Sequence, residues 1–234
     1  MKKLGYWWNE QTEPHDLVFE VVEHLTNNQG YHSTNNINHA RLYGNISYRD
    51  LGSGNLVQRA KTSAKNRVTL NIIQSMCDTV TARVAKAKPM ATYLTTGGDW
   101  AMQRKAKSLT KFTAGQFYGS DIYKVAPKVF LDACVFGTGV MKIHEYDGEI
   151  ICERVFPDEI IVDDLEARNG NPRQMFQRKI VDKQVLASLF PEFAKQIEEA
   201  SPLEDDDSLY RASEQIECLE AWHLPSAKGA KDGR

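Results

Sequence analysis

A chain of 234 residues is long enough to bury a core, as one large domain or two small ones. With 41% apolar and 26% charged residues and a formal charge of -2, its composition is that of an ordinary globular protein. No overall positive field marks it for nucleic acid, and no apolar run approaches the ~20 residues of a membrane span. Met1-Lys2-Lys3 is followed by no apolar secretory stretch. Cys77, Cys134, Cys152 and Cys218 have no C-x-x-C spacing and lie in apolar segments, so they read as reduced core thiols in a reducing cytoplasm.

Residues 1–67 read as an N-terminal arm and partner-facing segment. Trp7-Trp8 either packs back on the body or serves as a docking arm. Thr12 can cap a helix from Pro14 to about Leu25, with Leu17, Val21 and Leu25 on one face beside Val18 and Val22. Residues 26–67 are rich in Asn, Gly and Ser, and only a short piece around Ile37 to Tyr43 looks helical.

Residues 68–200 carry the core. A helix is expected from about Val68 to Lys86, with Ile73, Met76, Cys77, Val80 and Val84 as a buried stripe. Lys86 and Lys88 suit its C-terminal dipole and Pro89 stops it. Met90 to Leu94 is a short strand candidate before the turn at Thr95-Thr96-Gly97-Gly98. Asp99 caps a helix through about Tyr118, with Ala106, Leu109, Phe112 and Phe117 on its apolar side. Its middle is basic, through Arg104, Lys105, Lys107 and Lys111. These residues make either a solvated face or a contact for phosphate or an acidic partner.

The most informative stretch is Ser120 to Phe156. Ser120 is the expected N-cap of a well-buried helix, Asp121 to Phe136, in which Pro127 should introduce a bend. Gly137 supplies the left-handed residue that ends it. Asp147-Gly148 supplies the positive φ angles of a two-residue hairpin turn. That turn sets Tyr146 opposite Glu149, Lys142 opposite Glu153 and Val140 opposite Val155. Apolar groups fall on both faces, so both should be covered. Gly137-x-Gly139 is no dinucleotide loop, because here a helix precedes the glycines and a strand follows.

Ile160 to Val162 is a short apolar run, and Asn169-Gly170-Asn171-Pro172 a turn. Gln174 to Val181 reads as a strand. Asp182 caps the following helix, Pro191 interrupts it, and a second piece runs from Phe193 to Ala200. Residues 201–234 hold an acidic loop, Glu204 to Asp207, and a strand from Gln215 to Leu224. The strand ends in a turn-rich tail with a hairpin signal at Asp232-Gly233. A hairpin turn at the last residues lacks its return strand, so the chain is expected to be truncated there.

Chemistry-bearing patterns are few. The six histidines show no paired ligand spacing; His144 and His223 fall on expected strands and read as structural. Asp158-Glu159 and Asp163-Asp164 flank a short strand. Such paired carboxylates can hold a divalent ion for a nucleic-acid-processing enzyme, or can be a solvated rim and caps. No nucleophile, base and orienting group can be named together, and no cofactor is implied. From the residues alone the reading is a non-enzymatic α+β protein with partner-facing arms.

The run Ala126-Pro-Lys-Val-Phe-Leu-Asp-Ala-Cys-Val-Phe-Gly-Thr-Gly-Val-Met-Lys-Ile143 resembles the hallmark of bacteriophage portal proteins, the head-to-tail connectors. The resemblance continues through Glu153-Arg-Val-Phe-Pro-Asp-Glu-Ile-Ile-Val-Asp163, Asn171-Pro-Arg-Gln and Phe176-Gln-Arg-Lys-Ile-Val. Upstream, Asn71-Ile-Ile-Gln-Ser-Met-Cys-Asp-Thr-Val and Thr96-Gly-Gly-Asp-Trp are similar to the same family. It covers roughly residues 68–181. It implies a wing-like α+β fold, helices on a small antiparallel sheet, in a non-enzymatic dodecameric ring at one capsid vertex of the virion, assembled in the host cytoplasm. The implied partners are the terminase large subunit, major capsid and scaffolding proteins, tail or adaptor proteins, and double-stranded DNA passing without regard to sequence. A monomeric adaptor that docks through Trp7-Trp8 is the other non-enzymatic reading.

Overall fold

A computed structural model describes residues 6–9, 14–45, 70–168, 170, 172–200, 214–231 and 233–234. Among them the chain is mixed α+β, with eight α-helices and two antiparallel sheets of two and three strands. It divides into two compact units, Tyr31–Pro157 and a second made of Met1–Gly30 with Asp158–Arg234. In this division the N-terminal segment belongs with the C-terminal strands.

The reason is the apolar stripe of α1 (His15–Asn28). Val18 and Val22 pack with Ile161 and Phe176, from strands β3 (Ile160–Ile161) and β4 (Gln174–Asp182), and with Trp7. Phe176 is fully buried, and burying a phenylalanine is worth on the order of 2–3 kcal/mol. The sheet has the order β3-β4-β5, with β5 at Gln215–His223. Its main ladder runs from Gln174↔His223 to Asp182↔Gln215. Asp182 accepts from the backbone N–H groups of Gln184 and Val185, capping α7 (Lys183–Leu189) as its residue type requires. A turn of 3₁₀-helix at Pro191–Phe193 leads to α8 (Ala194–Glu199).

Arg234 exchanges both backbone hydrogen bonds with His223, at 2.7 and 3.0 Å, which is the pairing of opposed residues in an antiparallel ladder. Between them the Ala230 N–H donates to the Ala227 carbonyl at 3.0 Å in a turn. Asp232, part of the expected turn signal, lies outside the described residues, as does the acidic stretch Glu204 to Asp207.

The other unit is built on α5 (Ile122–Phe136), which touches α2 (Tyr31–Tyr43), α3 (Ile72–Ala87), α4 (Trp100–Gly119), β1 (Val140–Tyr146) and β2 (Glu149–Val155). α2 is a full helix where only its second half was legible. Its sequence has no apolar periodicity. It is held by its neighbours, with the Tyr43 hydroxyl donating to Asp78 at 2.7 Å and the Asn71 amide donating to the Tyr43 carbonyl at 2.7 Å. The bond to Asp78 raises the Tyr43 pKa above its ordinary value, since the hydroxyl must stay protonated to donate.

Three local expectations are corrected here. The large apolar residues of α3, Ile73, Met76, Val80 and Val84, are exposed. The half-buried row is Cys77, Thr81 and Ala85, spaced so that one small-residue seam faces inward. Met90 to Leu94 forms no strand. There the Tyr93 N–H donates to the Thr110 hydroxyl and Tyr123 donates to the Pro89 carbonyl. Ser120 does not cap α5. Its hydroxyl donates back to the Gln116 carbonyl at 2.7 Å, closing α4, and Asp121 opens α5 from a left-handed conformation (φ 53°). Two helices separated by two residues need a sharp reorientation, and Asp121 supplies it.

Candidate functional site

The candidate site is the spine formed by α5, the Gly137-Thr138-Gly139 link and the β1–β2 hairpin. Gly137 has φ 85°, and its N–H donates to the Ala133 carbonyl at 3.0 Å, so the helix ends as its sequence indicates. Nothing lies within 4 Å of a side chain at that position, so its constraint is conformational alone. Gly137→Val should therefore cost about 2 kcal/mol or more, measured by urea unfolding, from forcing a β-branched residue into φ > 0. Gly137→Asn should lose only a fraction of that, because asparagine tolerates this region.

Gly139 has a different role. A Cβ there would fall on the carbonyl oxygen of Val129, on α5. The first glycine turns the chain off the helix, and the second lets the returning chain pass against that same helix. Sequence order already ruled out a phosphate loop. The close approach to Val129 explains why a second glycine stands two residues after the first.

The hairpin has the expected register, Tyr146↔Glu149, Lys142↔Glu153 and Val140↔Val155. Asp147 (φ 52°) and Gly148 (φ 79°) make its turn, and the Gly148 N–H donates to the Glu145 carboxylate at 2.7 Å. Its base is buried through Cys152 and Val155. Its outer half is open, with Ile143, Tyr146 and Ile150 exposed, so full cover of both faces is not realised.

α5 is half-buried along its apolar arc, and its one fully buried side chain is a charged one. Asp132 is 2% exposed and receives both Nε and an Nη of Arg154, on β2, at 2.5 Å. The fork matches guanidinium to carboxylate bidentately. This bond raises the Arg154 pKa further above its ordinary value, so the arginine stays charged. The guanidinium also sits 5.1 Å from the ring of Phe156, which meets Phe136 at the end of α5 with centroids 5.5 Å apart. Helix and hairpin are thus clamped at the foot of the hairpin. The sequence signal for this was a lone carboxylate inside an apolar helical arc, which demands a buried partner.

The basic residues lie on α4. Asp99 caps it, accepting from the Met102 N–H at 2.9 Å. Ala106 is buried, and Thr110, Thr113 and Phe117 are partly buried. At helical spacing, Arg104, Lys105, Lys107 and Lys111 all fall on the half turned away from that row. Arg104 lies 5.5 Å from the ring centre of Trp100, and a shallow hollow runs past Trp100, Arg104, Lys105, Leu109 and Phe112.

Trp7 is not available as a docking arm. It is 3% exposed, its Nε1 donates to the Gln174 side chain at 3.0 Å, and its ring meets Phe176 at 5.8 Å. Trp8 stacks on His223 with centroids 4.3 Å apart. Of the carboxylates considered for a metal, Asp163 caps the short helix α6 (Asp164–Ala167) by accepting from the Leu165 N–H. Glu159 accepts from Gln177 at 3.0 Å. Among the described residues no group of three or more His, Cys, Asp or Glu is placed to hold a metal ion. No helix among them is long and apolar enough to cross a membrane. No protein-family model matches the chain, and no curated protein matches it.

Proposed function

We propose that the chain is a structural subunit of a phage portal ring, contributing a wing-like region to the conduit through which double-stranded DNA is packaged and ejected. The observation that carries this reading is the spine. Of the residues bearing the portal resemblance, Ala126 to Ile143 and Glu153 to Val155 fold as one clamped helix–stop–hairpin, and the stretches from Asp158 on belong to the other unit. A ring subunit under packaging load needs such rigid joints, and needs no base-reading surface, because every sequence must slide through. On this reading the ring works at one capsid vertex of the virion. It receives the terminase large subunit during filling and tail or adaptor proteins afterwards, and is set in place by major capsid and scaffolding proteins. Negative-stain electron microscopy of the purified protein tests it: closed rings are expected, and a population of monomers alone would refute it.

A further inference from the structure

We infer that the hairpin tip of one copy docks on the outer face of α4 of the next copy. This deepens the ring reading, on which it rests, by naming the contact that joins neighbours. Residues 143–150 contain three carboxylates, Glu145, Asp147 and Glu149, and no lysine or arginine. All three are exposed, and they stand among exposed Ile143, Tyr146 and Ile150. α4 is the counterpart: four cations and no carboxylate in 20 residues, set beside exposed Trp100, Leu109 and Phe112. Trp100 is 72% and Phe112 62% exposed, more than a lone surface aromatic needs to be.

The dimensions agree as well as the charges. Arg104 and Lys111 are seven residues apart on a helix, about 10 Å along its axis. A hairpin end from the Glu145↔Ile150 pair to its turn spans roughly 7–10 Å, and its two strands are ~5 Å across, about one helical turn. The tip keeps its shape, because its turn is fixed by two left-handed residues and by the Gly148-to-Glu145 bond. The hairpin and α4, which carry the two patches, both touch α5 within one unit, and the patches share no residue. A contact between two different patches of identical chains is head-to-tail, and repetition of such a contact closes a ring or runs on as a filament. Opposite charge sets the register while the apolar groups are covered.

Charge reversal on the full chain tests this, read by light scattering across micromolar concentrations. Lys105→Glu with Lys111→Glu, or Asp147→Asn with Glu149→Lys, which leave the Glu145 bond to the Gly148 N–H in place, should each raise the concentration needed for assembly at least about tenfold. The chain carrying all four changes should assemble nearly as well as the unaltered one. These positions are exposed, and unchanged circular dichroism would show that the variants fold. If the unaltered chain assembles and the reversals leave assembly intact, this contact is wrong and the ring reading stands. The same holds if each pair weakens assembly but their combination does not restore it. If the lysine changes abolish binding of a duplex DNA probe while leaving assembly intact, α4 is a phosphate contact instead. If the unaltered chain never assembles, contact and ring reading fall together.

Discussion

Gly139→Ala should destabilise the protein by about 3 kcal/mol or more, despite adding a single methyl group. The group in the way is the Val129 carbonyl, which is part of the helix backbone rather than the end of a mobile side chain. Relief requires the hairpin to lift from α5, and lifting it also pulls Arg154 from Asp132. Overpacking of this kind exceeds the loss of a turn preference, so Gly139→Ala should cost more than Gly137→Ala, which meets only the φ penalty of about 1–2 kcal/mol. Urea unfolding of the two alanine variants checks the order. Equal losses would show that the close approach is not the constraint at Gly139.

Arg154→Met should cost about 3 kcal/mol, because it strands the buried Asp132 carboxylate without its guanidinium. The figure sits at the lower end for a broken buried pair, since the Arg154 side chain keeps 37% of its exposure and water can reach the vacated place. Replacing both, Arg154→Met with Asp132→Leu, should recover most of the loss, because two apolar groups leave no charge to desolvate. A double-mutant cycle by equilibrium unfolding measures this coupling. Additive losses would mean that the pair does not act as a clamp.

What could be read from the sequence was local. Gly137 as a helix stop, Asp147-Gly148 as a turn and the register Tyr146↔Glu149 depend on a few neighbouring residues whose φ preferences and two-residue period leave little choice. The caps at Asp99 and Asp182 were legible for the same reason. Ser120 was not, because a good capping residue between two abutting helices can serve the one behind it as well as the one ahead.

The long-range features were not legible. Helical periodicity shows which side of α3 is apolar, but not whether anything covers it. The inward seam is the small row Cys77, Thr81 and Ala85, and the large residues beside it stay open. The division into units turned on α1 finding Phe176 and Ile161, more than a hundred residues away, and no local pattern encodes that pairing. Trp7 was ambiguous as an aromatic near a terminus until Gln174 and Phe176 gave it a site. The Asp132–Arg154 clamp left a visible half-signal, a carboxylate in an apolar arc. Its partner emerged only once the hairpin was folded against the helix.

On the proposed function, this chain builds a closed ring. This is tested most directly by imaging the purified protein by negative-stain electron microscopy, with any codons downstream of Arg234 kept in frame. Ring-shaped particles with a central opening and one subunit number are expected, with a matching mass by native mass spectrometry. Particles that remain single chains at the highest attainable concentration would contradict it.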